Sequence, residues 1–143
     1  MYNLDRFIQA QSYDYKIALD EIRNGRKQSC WMWYVFPQIC GLGHSYMAKM
    51  YEIVNIEEAR EYLAHPVLGS RLQEVCQAAL ETDTDDAGMV FGFPDNLKLC
   101  SSMTLFEQAD PDNPVFAKVL DKYFQGKRDE ATLRILKEQA QNA

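Results

Sequence analysis

The chain has 143 residues, of which 47% are hydrophobic, 12% aromatic and 25% charged, and its formal net charge is −6. This composition excludes a disordered protein, and the length fits one domain with a substantial core. The acidic charge excludes the chain-wide basic field of nucleic-acid binders, and no apolar run reaches the about 20 residues of a membrane span, so neither nucleic acid nor membrane is an expected partner.

Helical spacing dominates the chain, and short breaks separate the predicted elements. The apolar stripe of Leu4–Gln11 predicts a first helix, and Asp14 is expected to cap a second one. Asn24-Gly25 ends this second helix, because glycine adopts the left-handed conformation readily. The aromatic run Trp31–Phe36 predicts a short buried helix that ends before Pro37.

Capping residues and prolines mark the remaining helices. Asn55 with Glu58 three positions later is typical of a capping box, and Pro94 fits the first turn of a helix. The predicted segments are Ser45–Met50, Asn55–Ala64, Val67–Leu80, a short turn from Thr84 to Gly92, Pro94–Gln108, Asn113–Phe124 and a last helix capped by Asp129. The expected fold is therefore all-α: a single compact multihelical domain over residues 1–143, with about seven or eight short helices.

The stretch from Ser29 to Gly43 contains both tryptophans and is largely apolar, so it is expected to be buried or to line a pocket. In a helix Trp31 and Trp33 point about 200° apart, which predicts one indole in the core and one near a pocket, where it can stack a flat ring. The amide of Gln38 either reads the edge of a ligand or clamps a neighbouring backbone, since an unpaired buried amide costs about 1–3 kcal/mol.

Gly41, Gly43 and Ser45 form a loop directly after this run. Backbone N–H groups of such a loop can bind an anion where a helix begins. Two glycines without a preceding strand do not make a dinucleotide fingerprint, so a tight turn is the alternative. His44 lies in the same loop and is a further titratable group.

The predicted helix from Pro94 places polar residues on one face. Asp95, Lys98 and Ser102 are spaced i, i+3 and i+7, and Ser101 lies beside them. Asp95 is a candidate general acid/base if burial raises its pKa, and Lys98 is a candidate anion ligand. The alternative is an ordinary helix start, in which Asp95 offsets the helix dipole and pairs with Lys98, while the serines bond to backbone carbonyls.

His65 precedes Pro66 at a predicted helix break. Its imidazole is a candidate proton shuttle, because histidine titrates near neutral pH. The alternative is a purely structural role, in which the ring bonds to the last carbonyls of the preceding helix.

The four cysteines, Cys30, Cys40, Cys76 and Cys100, show no CxxC spacing. With only two histidines in the chain, this pattern argues against a zinc site, and no metal or cofactor is expected. The first residues contain no apolar signal segment, which favours a cytoplasmic location with reduced thiols.

Seven ordered motifs give the chain a family resemblance. They are Trp31-Met-Trp33, Phe36-Pro-Gln38, Gly41-Leu-Gly43-x-Ser45, His65-Pro-Val-Leu-Gly-x-Arg-Leu72, Phe91-Gly-x-Pro-Asp95, Leu97-Lys-Leu99 and Ser101-Ser-Met-Thr-Leu-Phe106. From about Leu4 to Leu136 the chain resembles the bacterial family called domain of unknown function 1810. The resemblance implies a small, all-helical, cytosolic protein of one domain and no particular activity. Cys30 and Cys100 depart from the histidine and the basic residue that many members carry there.

Two hypotheses follow for function. The first is one pocket for a small polar ligand, nucleotide- or sugar-like, built from the polar residues that lie within apolar segments. If the protein is an enzyme, we expect hydrolysis of an N-glycosidic bond with Asp95 as acid/base, by analogy alone. The second is a non-catalytic interaction module or a homo-oligomer. The first predicts that Asp95, Ser102, Gln38 and one tryptophan meet around a cavity of roughly a few hundred Å³. The second predicts that they are scattered and individually satisfied, with a contiguous apolar patch on the outside.

Overall fold

The computed structural model describes residues 2–143 as an assembly of helices. In this part of the chain there are nine: α1 (Asp5–Arg23), α2 (Met32–Val35), α3 (Tyr46–Tyr51), α4 (Ile56–Ala64), α5 (Pro66–Leu80), α6 (Ala87–Phe91), α7 (Asp95–Ala109), α8 (Val115–Phe124) and α9 (Glu130–Asn142). The all-α prediction is confirmed. The expected number of seven or eight helices is slightly too low, and the segment from Thr84 to Gly92, expected to be a turn, contains the five-residue helix α6.

The first helix is longer than predicted. α1 is continuous over 19 residues, so the prediction of two helices with a cap at Asp14 is wrong. Neither glycine nor proline interrupts this segment, and aspartate within a helix costs less than about 1 kcal/mol relative to alanine. Asp14 instead accepts a hydrogen bond from the Tyr34 hydroxyl. The backbone of Tyr34 also accepts from Gln11 Nε2 at 2.7 Å, so α1 holds α2 from two sides.

The loop after α2 is tied to the end of α3 by a small extended contact. Ile39 and Ile53 form an isolated parallel β-bridge, in which Cys40 N donates to Ile53 O and Ile53 N donates to Gln38 O, both at 2.8 Å. Both isoleucines are buried. This bridge fixes the backbone of Gln38 beside α3.

α4 and α5 meet at a sharp turn that lets the two helices approach closely. Asn55 caps α4 by accepting from Glu58 N at 2.9 Å, as the capping pattern predicts. Pro66 then occupies the first turn of α5. A Cβ at Gly69 would lie 2.1 Å from the backbone oxygen of Leu63, so this contact requires a glycine.

The core is one cluster of buried apolar side chains that α7 crosses. Residues 101 to 106 of α7 are all buried, so this helix has neighbours on several sides. Phe106 contacts Tyr62 of α4 and Phe116 of α8, with ring centroids 5.2 and 5.9 Å apart. The first turn of α7 extends beyond this core, which places Asp95 and Lys98 nearer the surface.

Candidate functional site

A cleft of about 360 Å³ lies where three parts of the chain meet: the loop that leads into α3, the first two turns of α7 and the start of α9. The residues lining it are Gln38, Leu42, Gly43, His44, Ser45, Ala48, Pro94, Leu97, Lys98, Ser101, Asp129 and Ala131. Its volume is within the range of small-molecule sites. We refer to it below as the α3–α7 cleft.

Five of the residues singled out in the sequence line this cleft: Gln38, Gly43, Ser45, Lys98 and Ser101. His44 lines it as well. These residues come from segments more than 50 positions apart, which the fold brings together.

The loop side of the cleft is closely packed. A Cβ at Gly43 would lie 2.5 Å from Cβ of Ala48, so glycine lets this loop lie directly on α3. Ser45 is the N-cap of α3, and its Oγ accepts from Ala48 N at 3.1 Å. The hydroxyl hydrogen of Ser45 is not used in that bond. Among residues 2–143, the side-chain amide of Gln38 has no hydrogen-bond partner, so its donor and acceptor are both free at the cleft.

Lys98 is the positively charged residue on the α7 side of the cleft. Lys98 Nζ lies 3.5 Å from Asp95 Oδ1 and 5.0 Å from the centre of the Trp33 ring. The lysine side chain is 23% exposed. Its ammonium makes no other polar contact within the described residues, although it carries three donors. Trp33 and Asp95 therefore hold a charged group at the cleft without using all of its hydrogen-bonding capacity.

Asp95 itself is not among the residues that line the cleft in the described part of the chain. Its Oδ2 pairs with Lys27 Nζ at 2.7 Å, a shorter contact than the one to Lys98. Lys27 Nζ in turn lies 5.0 Å from the Trp31 ring centre. The carboxylate is thus held between two ammonium groups, each of which packs on a tryptophan.

The two indoles have different surroundings. Trp31 is fully buried, and its Nε1 donates to Glu21 Oε1 at 2.9 Å. Trp33 is only partly buried and lies beside Lys98. Neither ring lines the cleft within residues 2–143. Trp33 contributes to the cleft only indirectly, because its ring packs against the Lys98 ammonium.

Of the four groups expected to meet around one cavity, Gln38 lines the cleft, whereas Asp95, Ser102 and the tryptophans do not in the described part of the chain. Ser101 Oγ donates to Leu97 O at 3.2 Å, a bond within α7. Ser102 is fully buried, and its Oγ has no hydrogen-bond partner in the part of the chain that the structure describes. Gly41 lies against Ile135 of α9, outside the cleft.

His65 does not line the cleft. Its Nδ1 accepts from Val67 N at 3.1 Å and from Leu68 N at 3.3 Å, so the ring caps the start of α5. The structural alternative named carbonyls of the preceding helix as partners, whereas the partners are N–H groups of the following helix.

Two charged residues at or next to the cleft, Lys27 and Asp129, are not identified as site residues from the sequence. The sequence gives no local sign of the role of Lys27, because its partner Asp95 lies 68 positions away. Asp129 was read only as a cap: its Oδ2 accepts from Thr132 N at 3.0 Å, but the residue also lines the cleft. No local pattern identifies either role, since both depend on contacts between distant segments.

The cysteines near this region are poorly suited to act as nucleophiles. Burial, with a smaller contribution from Asp129, raises the pKa of Cys100 to about 11. Burial and the neighbouring Glu52 raise the pKa of Cys40. Because the thiolate is the reactive form, both side chains are mostly protonated thiols at neutral pH.

A second, larger groove of about 750 Å³ runs between α9 and the start of α4. Its lining includes Val54, Ile56, Ile135 and Leu136. It contains none of the site residues predicted within the described chain, and most of its surface is apolar.

The fold and the cleft define the class: an all-helical protein with a small, partly cationic surface cleft. The chain belongs to the family described as "Protein of unknown function (DUF1810)", which matches residues 1–136 and confirms the resemblance seen in the motifs. The chain is also similar to the conserved hypothetical protein Rv1873 from Mycobacterium tuberculosis, whose crystal structure was determined at 1.38 Å. The TM-score is 0.92 and the identity 45%, over 94% of this chain and 96% of that one.

No curated protein matches this chain. Within residues 2–143, no helix has both the length and the apolar character needed to cross a membrane. The comparisons therefore establish the family and the fold, and the cleft carries the functional argument.

Proposed function

We propose that the α3–α7 cleft binds a small polar ligand with an anionic group, such as a sugar phosphate or a nucleotide. One observation carries the proposal: the Lys98 ammonium is held at the cleft by Trp33 and Asp95 with donors to spare. A phosphate or carboxylate oxygen is the natural acceptor for those donors.

The other polar groups of the cleft suit the uncharged part of such a ligand. Gln38 offers both a donor and an acceptor, which matches a sugar hydroxyl or the edge of a base. Ser45 can donate its hydroxyl hydrogen while its oxygen keeps accepting from Ala48 N. The ligand would therefore meet the Lys98 ammonium and two neutral polar side chains, while Asp129, the anionic residue of the lining, caps α9.

An apolar wall completes the cleft. Leu42, Pro94 and Leu97 line it beside the polar groups. Phe93, the residue before Pro94, is 80% exposed. Phe93 itself is not among the lining residues of the described chain, but apolar surface such as that of Leu42, Pro94 and Leu97 packs against the face of a sugar or a base, which favours a ring-containing ligand over a bare ion.

Hydrolysis of an N-glycosidic bond is a narrower form of this proposal. Asp95 would then act as the acid/base, as the sequence suggests. Its oxygens pair with Lys27 and Lys98, and Asp95 is not among the residues that line the cleft in the described part of the chain. The binding proposal does not depend on this step. A cytoplasmic location belongs to the same proposal and agrees with four free cysteines.

A thermal-shift screen against sugar phosphates, nucleotides, NAD and ADP-ribose tests the proposal. A compound at about 100 times its Kd stabilises the folded chain by about 2.7 kcal/mol, which raises the melting temperature. We expect Lys98→Gln to abolish the response, because it removes the charge and keeps the approximate length of the side chain. Lys118→Gln is the control, because Lys118 lies exposed on α8.

Equal responses in the wild type and Lys98→Gln would contradict the proposal, and so would a panel without any response. A response lost in both lysine variants would point to net charge rather than to the cleft.

An interaction module is the second candidate, and one observation favours it. Large apolar side chains are exposed on α6 and at the start of α7: Met89 by 67%, Phe93 by 80% and Leu97 by 53%. The three residues lie within nine positions of the chain, and contiguous exposed apolar surface often marks contacts with another protein or a second copy. Sedimentation of the purified chain over a range of concentrations separates a monomer from a self-associating module.

A further inference from the structure

We infer that Lys27 keeps Lys98 available to an anionic ligand by neutralising Asp95, so that Lys27 is a positioning residue that does not itself contact the ligand. The inference rests on the proposed function, since it concerns the charge of the same cleft. It assigns a role to a lysine that lies outside the cleft and belongs to the loop after α1.

Lys27 and Lys98 both pair with the Asp95 carboxylate, at different distances. Lys27 Nζ lies 2.7 Å from Asp95 Oδ2, whereas Lys98 Nζ lies 3.5 Å from Asp95 Oδ1. The shorter contact is a close ion pair, and the longer one is a looser ion pair. Asp95 therefore pairs mainly with Lys27, and its ion pair with Lys98 is weaker.

Lys27 is anchored where it stands. Its side chain is only 9% exposed, and its backbone N–H donates to Val90 O at 2.6 Å. The Trp31 ring, itself fully buried, lies under the ammonium at 5.0 Å. A lysine fixed on three sides supplies a permanent positive charge next to Asp95.

Lys27, Asp95 and Lys98 together carry one positive charge, and the other charged residue of the cleft, Asp129, accepts from Thr132 N and Thr132 Oγ1 at the start of α9. Lys27 and Asp95 cancel, and Lys98 remains. Without Lys27, Asp95 and Lys98 would cancel instead, and the cleft would present a neutral pair to an approaching anion. The attraction for a phosphate depends on this balance, because like and unlike charges at such distances contribute with opposite sign.

Titration of the full chain with inorganic pyrophosphate, followed by NMR of the ¹⁵N-labelled protein, tests the inference. We expect Lys27→Met to weaken pyrophosphate binding about fivefold, the scale of one partly exposed charge pair. Asp95→Asn should strengthen binding by a similar factor. The double variant Lys27→Met/Asp95→Asn should return to wild-type affinity, and Lys27→Arg should retain it.

A purely structural role for Lys27 would give a different pattern, in which the double variant binds no better than Lys27→Met. That result overturns the inference, as does weaker binding in Asp95→Asn, a variant that remains informative if Lys27→Met fails to fold. Wild-type binding that Lys98→Gln does not reduce, or no binding at all, overturns the proposed function itself. If Lys98→Gln weakens pyrophosphate binding but the Lys27 and Asp95 variants leave it unchanged, only the inference about Lys27 is overturned.

Discussion

Glu21 shows how one carboxylate can organise the loop before α2. Its Oε1 accepts from Gln28 N at 2.8 Å, from Ser29 N at 3.0 Å and from Trp31 Nε1 at 2.9 Å. Its Oε2 accepts from Ser29 Oγ at 2.6 Å. Burial alone would raise the pKa of Glu21, but these hydrogen bonds outweigh burial and lower it to about 2. The bonds fix Trp31 in the core and, next to it, the loop that carries Lys27.

We expect Glu21→Gln to lower the free energy of unfolding by about 2 kcal/mol at pH 7, because an amide NH₂ would face donors that now bond to a carboxylate. Since the folded-state pKa is depressed, the stabilisation is complete above the ordinary value of 4.5 and is lost as the pH falls towards 2. Urea unfolding of wild type and variant at several pH values measures the difference, which should shrink below about pH 4.5.

Glu138→Gln is the matched control, because Glu138 lies exposed on α9. It should change the unfolding free energy little at any of these pH values. A difference in unfolding free energy between wild type and Glu21→Gln that stays constant down to pH 3 would contradict the role given to the carboxylate.

At the scale of the elements, the turn between α4 and α5 depends on a histidine. The ring of His65 accepts from two backbone N–H groups of α5, a task usually performed by serine, threonine, aspartate or asparagine. The next residue, Pro66, has no N–H to satisfy. This pair starts α5 immediately after α4 ends.

His65→Ala should therefore destabilise the chain by about 1 kcal/mol, the usual effect of losing an N-cap. His65→Asn should retain most of that stability, because asparagine accepts the same N–H groups. Thermal unfolding of the two variants shows whether His65 stabilises the chain as the N-cap of α5. If alanine and asparagine destabilise equally, the cap is not what His65 contributes.

Local signals predicted the elements well wherever a cap or proline marked a boundary. Ser45, Asn55 and Asp129 each cap the helix expected of them. Asp14 was misread because a capping residue within a long apolar stripe looks like a helix start, and its true partner, Tyr34, lies 20 residues away. The segment from Thr84 to Gly92 is expected to be a short turn, whereas its second half forms α6, which Asp86 caps by accepting from Gly88 N. Single-turn helices depend on tertiary contacts more than on local preference.

At the scale of the whole molecule, a chain with a net charge of −6 presents a cation at its cleft. The sequence predicted part of this arrangement, since helical spacing places Asp95 and Lys98 together. It did not predict the contribution of Lys27 or which of the two indoles is buried, because both result from contacts across the fold. The acidic remainder of the surface repels anions, so a specific anion site must depend on a few local groups.

Amide NMR spectra of the ¹⁵N-labelled chain, titrated with ribose 5-phosphate, test the central claim most directly. Neutral ribose is the control for the charge. The account predicts that ribose 5-phosphate shifts the resonances of Gln38, Ser45 and Lys98 and that ribose shifts them much less. Shifts centred instead on residues 54–57 and 135–143, or no shifts with either compound, would contradict it.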